Sequence, residues 1–217
     1  MIQFSFSKTK TISRNITTYP ITVAEVKARS QYFQINPDDA TLNTYITSIL
    51  IPKVIFDWEK STGYILLDTS IQSFVPSLLL IRGEQINILY KHLNIREFSN
   101  IRYYPHNWNF SDPKITFNSS SYFFIPEISN QPAKLNFKED YLPIEFYQIE
   151  NNLESNYLAG FANNNFTNLN SLIKDALASQ AAMTIDILKG YCQDLYSDII
   201  KEIYSEYSID KQQILVI

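Results

Sequence analysis

The sequence predicts an α+β protein: a helical bundle formed by N-terminal and C-terminal helices, with a β-rich insertion between them. Three observations carry this. Apolar residues recur at helical spacing in two stretches, 23–58 and 169–188. From Tyr64 to about Asn156 that period gives way to short runs of Ile, Phe and Tyr broken by Pro and Asn, the pattern of strands. The chain of 217 residues, 45% hydrophobic and 14% aromatic, is long enough to bury a sizeable core. The zones this defines are an arm with the first helices over 1–63, the β-rich insertion over 64–160, and C-terminal helices with a tail over 161–217.

After a short alternating segment, Ile2 to Phe6, and a polar, mildly basic stretch to Asn15, the first helix starts at Thr22. Thr22 and Glu25 have the spacing of a capping box, in which the hydroxyl accepts from the Glu25 N–H while the Glu25 carboxylate reaches back. Val23, Val26, Ser30 and Phe33 form its short apolar stripe, that of a brace. A second start is predicted at Asn36-Pro37-Asp38-Asp39, with Asn36 as N-cap, Pro37 where a missing N–H costs nothing, and two carboxylates in the positive first turn. Leu42, Tyr45, Ile46, Ile49, Leu50, Val54, Ile55 and Trp58 continue the stripe to a stop at Gly63. Pro52 interrupts it and predicts a kink near 48–52, or two helices.

Strands are predicted at 71–75, 78–82, 86–90, 101–104, 114–118, 122–125 and 144–148, with Arg82-Gly83-Glu84 as a turn. After the loop ANNNFTN, a long helix runs from Leu169 through Leu172, Ile173, Ala176, Leu177, Gln180, Met183, Ile187 and Leu188 and packs on the helix after Asn36. Gly190 ends or bends it. Leu195, Tyr196, Ile199, Ile203 and Tyr207 make a further stripe before the closing QQILVI, a β-prone hexapeptide suited to pairing.

Chemistry is sparse. The net charge of −4 provides no global positive field for nucleic acid or an anionic membrane. Lys8, Lys10 and Arg14 read as solvated charges. Glycine occurs 4 times, and no P-loop, HExxH, GxSxG, CxxC or dinucleotide turn is present. His92 and His106 have no carboxylate or cysteine at ligand spacing, and Cys192 reads as a small buried hydrophobe. Catalytic, metal and cofactor sites are therefore expected to be none, and the protein is expected not to be an enzyme. The single cysteine, the start MIQFSFSKTK and the absence of a long apolar run fit cytoplasmic synthesis with no membrane partner. The sequons at Asn15, Asn118 and Asn165 are expected by chance in an Asn-rich chain. Tyr (15) and Phe (14) together exceed the needs of one core; subunit contact is the economical reading and core burial alone the alternative, which composition does not separate.

The run from Tyr19 to Thr69 resembles the head-tail connector (adaptor) family of tailed bacteriophages. Ile21 to Lys27 matches its opening helix, Asp38 and Asp39 followed by Leu42 and Ile46 its Asp-rich cap and long helix, and Glu59 to Gly63 its terminal Thr-Gly pair. The match spans about a third of the chain; Pro52, a longer β zone and the segment after Leu195 depart from the family pattern. Residue bias toward Ile, Asn and Tyr fits an AT-rich genome such as a crAss-like phage. The resemblance implies a structural virion protein, without catalytic residues, at the head-tail interface. It would form a homo-oligomeric ring, commonly of twelve copies, beneath the portal protein and carry the DNA channel toward the tail. DNA would pass through without specific binding, and other neck or tail proteins would dock. Tyr196, Ile199, Ile203, Tyr204, Tyr207, Ile214, Leu215 and Ile217 are the candidate subunit or portal interface. The alternatives are a stopper or tail-completion factor, or a β-sandwich binder of carbohydrate or a receptor using Tyr103, Tyr104 and Trp108 as a stacking platform.

Overall fold

The computed structural model describes residues 2–5, 8–75, 86–90, 92–103, 113–126, 133–137, 153–191, 201 and 203–205. The chain is mixed helix and sheet and divides into two compact units, with junctions at Asn15/Ile16, Leu67/Asp68 and Gly160/Phe161.

The helical unit holds Ile16–Leu67 and Phe161–Ser208. Its first helix, α1 (Val23–Arg29), is opened by the capping box: the Glu25 N–H donates to Thr22 Oγ1 at 3.2 Å and the Thr22 N–H to Glu25 Oε2 at 2.6 Å. Ser30 leaves helical geometry (ψ 129°), and α2 (Gln31–Ile35) follows at an angle. The sequence reading ran one helix through this point.

The predicted second start is corrected. Asn36 ends α2 as its C-cap; Pro37 and Asp38 lie in a turn, and α3 (Asn43–Tyr45) begins only after Leu42. Asp39 accepts from the Thr41 N–H at 2.8 Å and from the Thr41 and Tyr32 hydroxyls, so its carboxylate closes a local turn rather than complementing a helix dipole. The cap signature was real as turn chemistry but fell six residues early.

Pro52 produces no break. α3 passes into a single π turn, Ile46–Leu50, and then α4 (Ile51–Thr62), with the Ile51 N–H donating five residues back to the Ile46 carbonyl. Widening the turn just before the proline makes room for a ring that would clash in an ordinary α-helix. Gly63, at φ 74°, ends α4 with its N–H on the Glu59 carbonyl. The buried Glu59 carboxylate then accepts from the N–H groups of Leu66 (2.8 Å) and Leu67 (3.2 Å), fixing the chain as it leaves the helix.

α5 (Ser171–Leu188), capped by Asn170, packs against α1, α2 and α4. The face it buries is Ile173, Ala176, Leu177, Ala178, Ala181, Ala182 and Ile185, whereas Leu172, Ile187 and Leu188 of the predicted stripe are exposed. Alanine admits close helix approach, so the buried face follows the small side chains and is rotated from the bulky ones. Trp58, Ile46, Leu50, Val54 and Ile55 fill the opposing side of this core. Asp186, fully buried in the last turn of α5, accepts from the Ser30 hydroxyl (2.6 Å), the Gln31 N–H (3.0 Å) and the Tyr32 N–H (2.9 Å). It caps α2 from 156 residues away. Gly190 (φ 82°) closes α5 in a Schellman arrangement, Tyr191 N–H to Asp186 carbonyl and Gly190 N–H to Ile187 carbonyl.

The second unit is a pair of sheets. One is five-stranded, in the order β2 (Lys8–Arg14), β3 (Thr69–Val75), β9 (Leu153–Ala159), β5 (Ile95–Tyr103), β6 (Ile115–Thr116), antiparallel throughout. The other is β1 (Ile2–Ser5), β4 (Ile86–Leu89), β8 (Lys134–Phe137), β7 (Tyr122–Ile125), with β1 parallel to β4. The arm that the sequence reading grouped with the helices therefore runs as strands, because residues 8–14 pair with β3. Between the sheets lie Tyr90, Phe98, Phe124 and Tyr157, with ring centroids 4.7–5.7 Å apart. Strands 78–82 and 144–148 and the turn at Gly83 lie outside the described residues. Among the described residues, no helix is long and apolar enough to cross a membrane.

Replacing Asp186 by Ala leaves one hydroxyl and two N–H donors buried without their acceptor and is expected to cost about 3 kcal/mol by chemical denaturation, with Asp186→Asn costing less. Gly190→Ala meets no neighbouring atom and should cost about 1 kcal/mol, from the left-handed φ alone.

Candidate functional site

Besides the Asp186, Asp39 and Glu59 contacts of the helical unit, polar groups cluster in two places in the sheet unit. On β9, Glu154 is nearly fully buried and is ion-paired with Arg102 of β5 and with Lys114. Burial pushes the Glu154 carboxyl up, but the hydrogen bonds from Lys114, Gln72 and Arg102 and the Lys114 charge outweigh it, leaving the group below its ordinary value of 4.5. Next to it, Asn156 donates to Asn100 Oδ1 at 2.9 Å. On the opposite face of the same strands, Ser73 Oγ donates to Tyr157 Oη at 3.1 Å, which lies 2.6 Å from His92 Nδ1, and Tyr90 Oη meets Ser155 Oγ at 2.8 Å. Burial pushes the Tyr90 and Tyr157 hydroxyls well above the usual range, so both stay protonated and act as hydrogen-bonding groups. These contacts satisfy hydroxyls between the sheets. Among the described residues, no group of three or more His, Cys, Asp or Glu side chains could hold a metal ion.

Of the candidate interface residues, Ile203 and Tyr204 are described, and they pack inward. Tyr204 stacks edge-on against Trp58 with centroids 4.7 Å apart, its hydroxyl donating to Gln180 Oε1, and Ile203 lies against the helical core. Tyr196, Ile199, Tyr207, Ile214, Leu215 and Ile217 lie outside the described residues, as do Cys192, His106, Tyr104 and Trp108. Tyr103 packs on Phe117 at 4.5 Å. The sequons at Asn118 and Asn165 head tight turns, their side chains accepting from the N–H groups of Ser120 and Thr167.

The helical unit exposes apolar side chains at Ile16, Ile35, Leu172, Ile187 and Leu188, and also on α4. Ile49 (55% exposed), Pro52 and Phe56 (56%) share the outward face of the π turn and α4, opposite the buried Leu50, Val54 and Trp58. On α1, Ala24 and Ala28 are exposed one turn apart and, with Lys27, Phe33, Gln34 and Pro37, line an open hollow of about 470 Å³. Lys27 is held at its rim, its ammonium 4.5 Å from the Phe33 ring centroid and 3.1 Å from the Asp39 carbonyl. Sequence reading missed both features. Ile49 was counted in the buried stripe; the residue-long slip of the π turn, invisible in an i, i+3, i+4 count, carries it outward.

Protonation of Glu154 favours the unfolded chain, where its value is higher. Its contribution to stability is thus fully present above pH 4.5 and is lost as pH falls through the lower folded value. The melting temperature is expected to drop between about pH 5 and pH 3, and Glu154→Gln should be less stable at neutral pH with part of that acid dependence removed.

No protein-family model and no curated protein matches this sequence. Solved structures do. A chain in the virion of a native gene transfer agent particle superposes with a TM-score of 0.60 at 13% identity over 92% of this chain and 94% of that one. Chains from the neck of the empty particle computed with C6 symmetry (TM-score 0.60, 14% identity, 91% of this chain, 95% of that chain) and from the neck of the native particle computed with C12 symmetry (0.55, 11%, 91%, 95%) are similar to it over the same extent. This chain thus shares, over almost its whole length, the fold of components of phage-like particle necks.

Proposed function

We propose that the protein is a structural component of a phage-type virion neck, a head-to-tail adaptor that forms a ring beneath the portal and extends the DNA channel toward the tail. The observation that carries this reading is the near end-to-end likeness to chains of gene transfer agent necks, which covers helices and sheets alike and leaves neither unit as an unrelated addition. The adaptor-like run Ile21 to Gly63 supports it from sequence alone, with the capping box, the long helix and the terminal Thr62-Gly63 in the family order. So does the charge: the net −4 suits a wall along which DNA slides without being gripped. Twelve copies is the number proposed, by likeness to the neck computed with C12 symmetry.

Native mass spectrometry of the purified protein, alone and mixed with the portal protein of its own genome, tests the reading. The expected outcome is a ring of about twelve copies, formed alone or on the portal. A monomer indifferent to the portal overturns it.

A further inference from the structure

We propose that the basic outer face of the five-stranded sheet in one copy receives the acidic segment 194–206 in the helical unit of the next copy. This rests on the ring reading above and names two surfaces that would hold neighbouring subunits together. A ring of identical chains uses heterologous contacts, so each subunit must carry two different and complementary patches. The charge of this chain is divided in that way. The helical unit holds 7 Lys and Arg against 11 Asp and Glu, whereas the sheet unit holds 11 of each. Four acids of the helical unit, Asp194, Asp198, Glu202 and Glu206, follow one another at intervals of four, the spacing that shares one side of a helix, with Lys201 the single cation among them. Residues 201 and 203–205 are helical, and Ile203 and Tyr204 pack inward. Acids at this spacing repel one another along an isolated helix, and a cationic surface beside them relieves that repulsion.

The receiving face is set by register. Lys10 of β2, Gln72 of β3, Asn156 of β9 and Asn100 of β5 stand in one row across four strands. Lys8 holds the β2 position of the next row, which continues through Phe74, Glu154 and Arg102, and Lys114 joins that row at Glu154. The Glu154 carboxylate is nearly fully buried and already shared between Arg102 and Lys114, so it offers little repulsion to an incoming carboxylate. Glu97, the other acid of this face, lies on β5 opposite Leu158, away from β2. Toward β2 the face is cationic and lined by amides, and Lys10 is exposed and, among the described residues, outside any ion pair. The dimensions agree as well. Residues two apart on a strand are separated by about 6.6 Å and residues four apart on a helix by about 6 Å, so positions 8 and 10 fall in step with successive acids. Duplex DNA is the other polyanion of the ring reading, but two lysines beside an acid hold it weakly, whereas the acidic segment matches them in charge and in spacing.

Charge reversal and a mixture test the contact. Lys8→Glu with Lys10→Glu makes the sheet face acidic; Asp198→Lys with Glu202→Lys makes the segment basic. Circular dichroism with thermal melting checks that each variant folds, and the single reversals Lys10→Glu and Glu202→Lys replace a pair that melts early. Wild-type protein is expected to give rings by native mass spectrometry, alone or on the portal, while each variant alone gives monomers under the same conditions. An equimolar mixture of the two should restore rings with an even number of subunits. The acidic segment of the first variant then meets the basic face of the second, and the basic segment of the second meets the acidic face of the first. Variants that form rings like the wild type overturn the contact and leave the ring reading standing; loss of duplex DNA retention by the first variant would in that case assign the face to DNA. Variants that fail alone and also fail when mixed overturn the contact between copies, and recovery by a chain carrying all four reversals then assigns the pairing to a single chain. Wild-type protein that stays monomeric with and without the portal overturns the ring reading and this contact together.

Discussion

The helical unit depends on one carboxylate. Asp186 lies in the last turn of α5, where the helix dipole disfavours negative charge, and it is fully buried, where an unpaired charge would be costly. It is tolerated because the N-terminus of α2 faces it with two N–H groups and the Ser30 hydroxyl. The unfavourable dipole of one helix is answered by the favourable dipole of another. Ser30, the N-cap of α2, spends its hydroxyl on Asp186 and makes no cap of its own, so α2 has its N-terminal partner only when α5 has arrived. Two segments 156 residues apart are in this way held to a single register.

Around this latch the remaining elements follow from local chemistry. The alanine face of α5 lets α1, α2 and α4 approach, and the π turn lets α4 keep its apolar side on the core across a proline. Ile49, within the π turn, and Phe56, on the side of α4 away from Val54 and Trp58, stay exposed. In the sheet unit the central strand β9 works on both faces: Leu153, Ser155, Tyr157 and Ala159 point between the sheets, and Glu154 and Asn156 anchor Arg102, Lys114 and Asn100 on the other.

How much could be read in advance differs from element to element. The Thr22-Glu25 box, the Gly63 stop and the long helix before Gly190 were legible because each is a contact within a few residues of itself. Strand β9 was not singled out, since LESNYLA has no β-branched residue and its inward Ser155 looks like a surface residue until Tyr90 supplies its partner. Strand β2 reads as a polar arm for the same reason: its pairing with β3 is set by backbone hydrogen bonds more than 50 residues apart.

The sequence by itself determined the helix starts and stops that short-range hydrogen bonds encode, the strand-rich character of the middle, and the resemblance of residues 21–63 to phage adaptors. Tertiary structure alone decided the rest. It moved Asn36 from the head of one helix to the end of another, placed Asp186 on α2, rotated the buried face of α5 onto its alanines, and turned Tyr204 inward onto Trp58. The physical reason is common to all four. Local signals report which backbone groups need a partner within a turn or two, whereas which face is buried, and which distant carboxylate or ring supplies the partner, depends on the side chains that packing brings opposite.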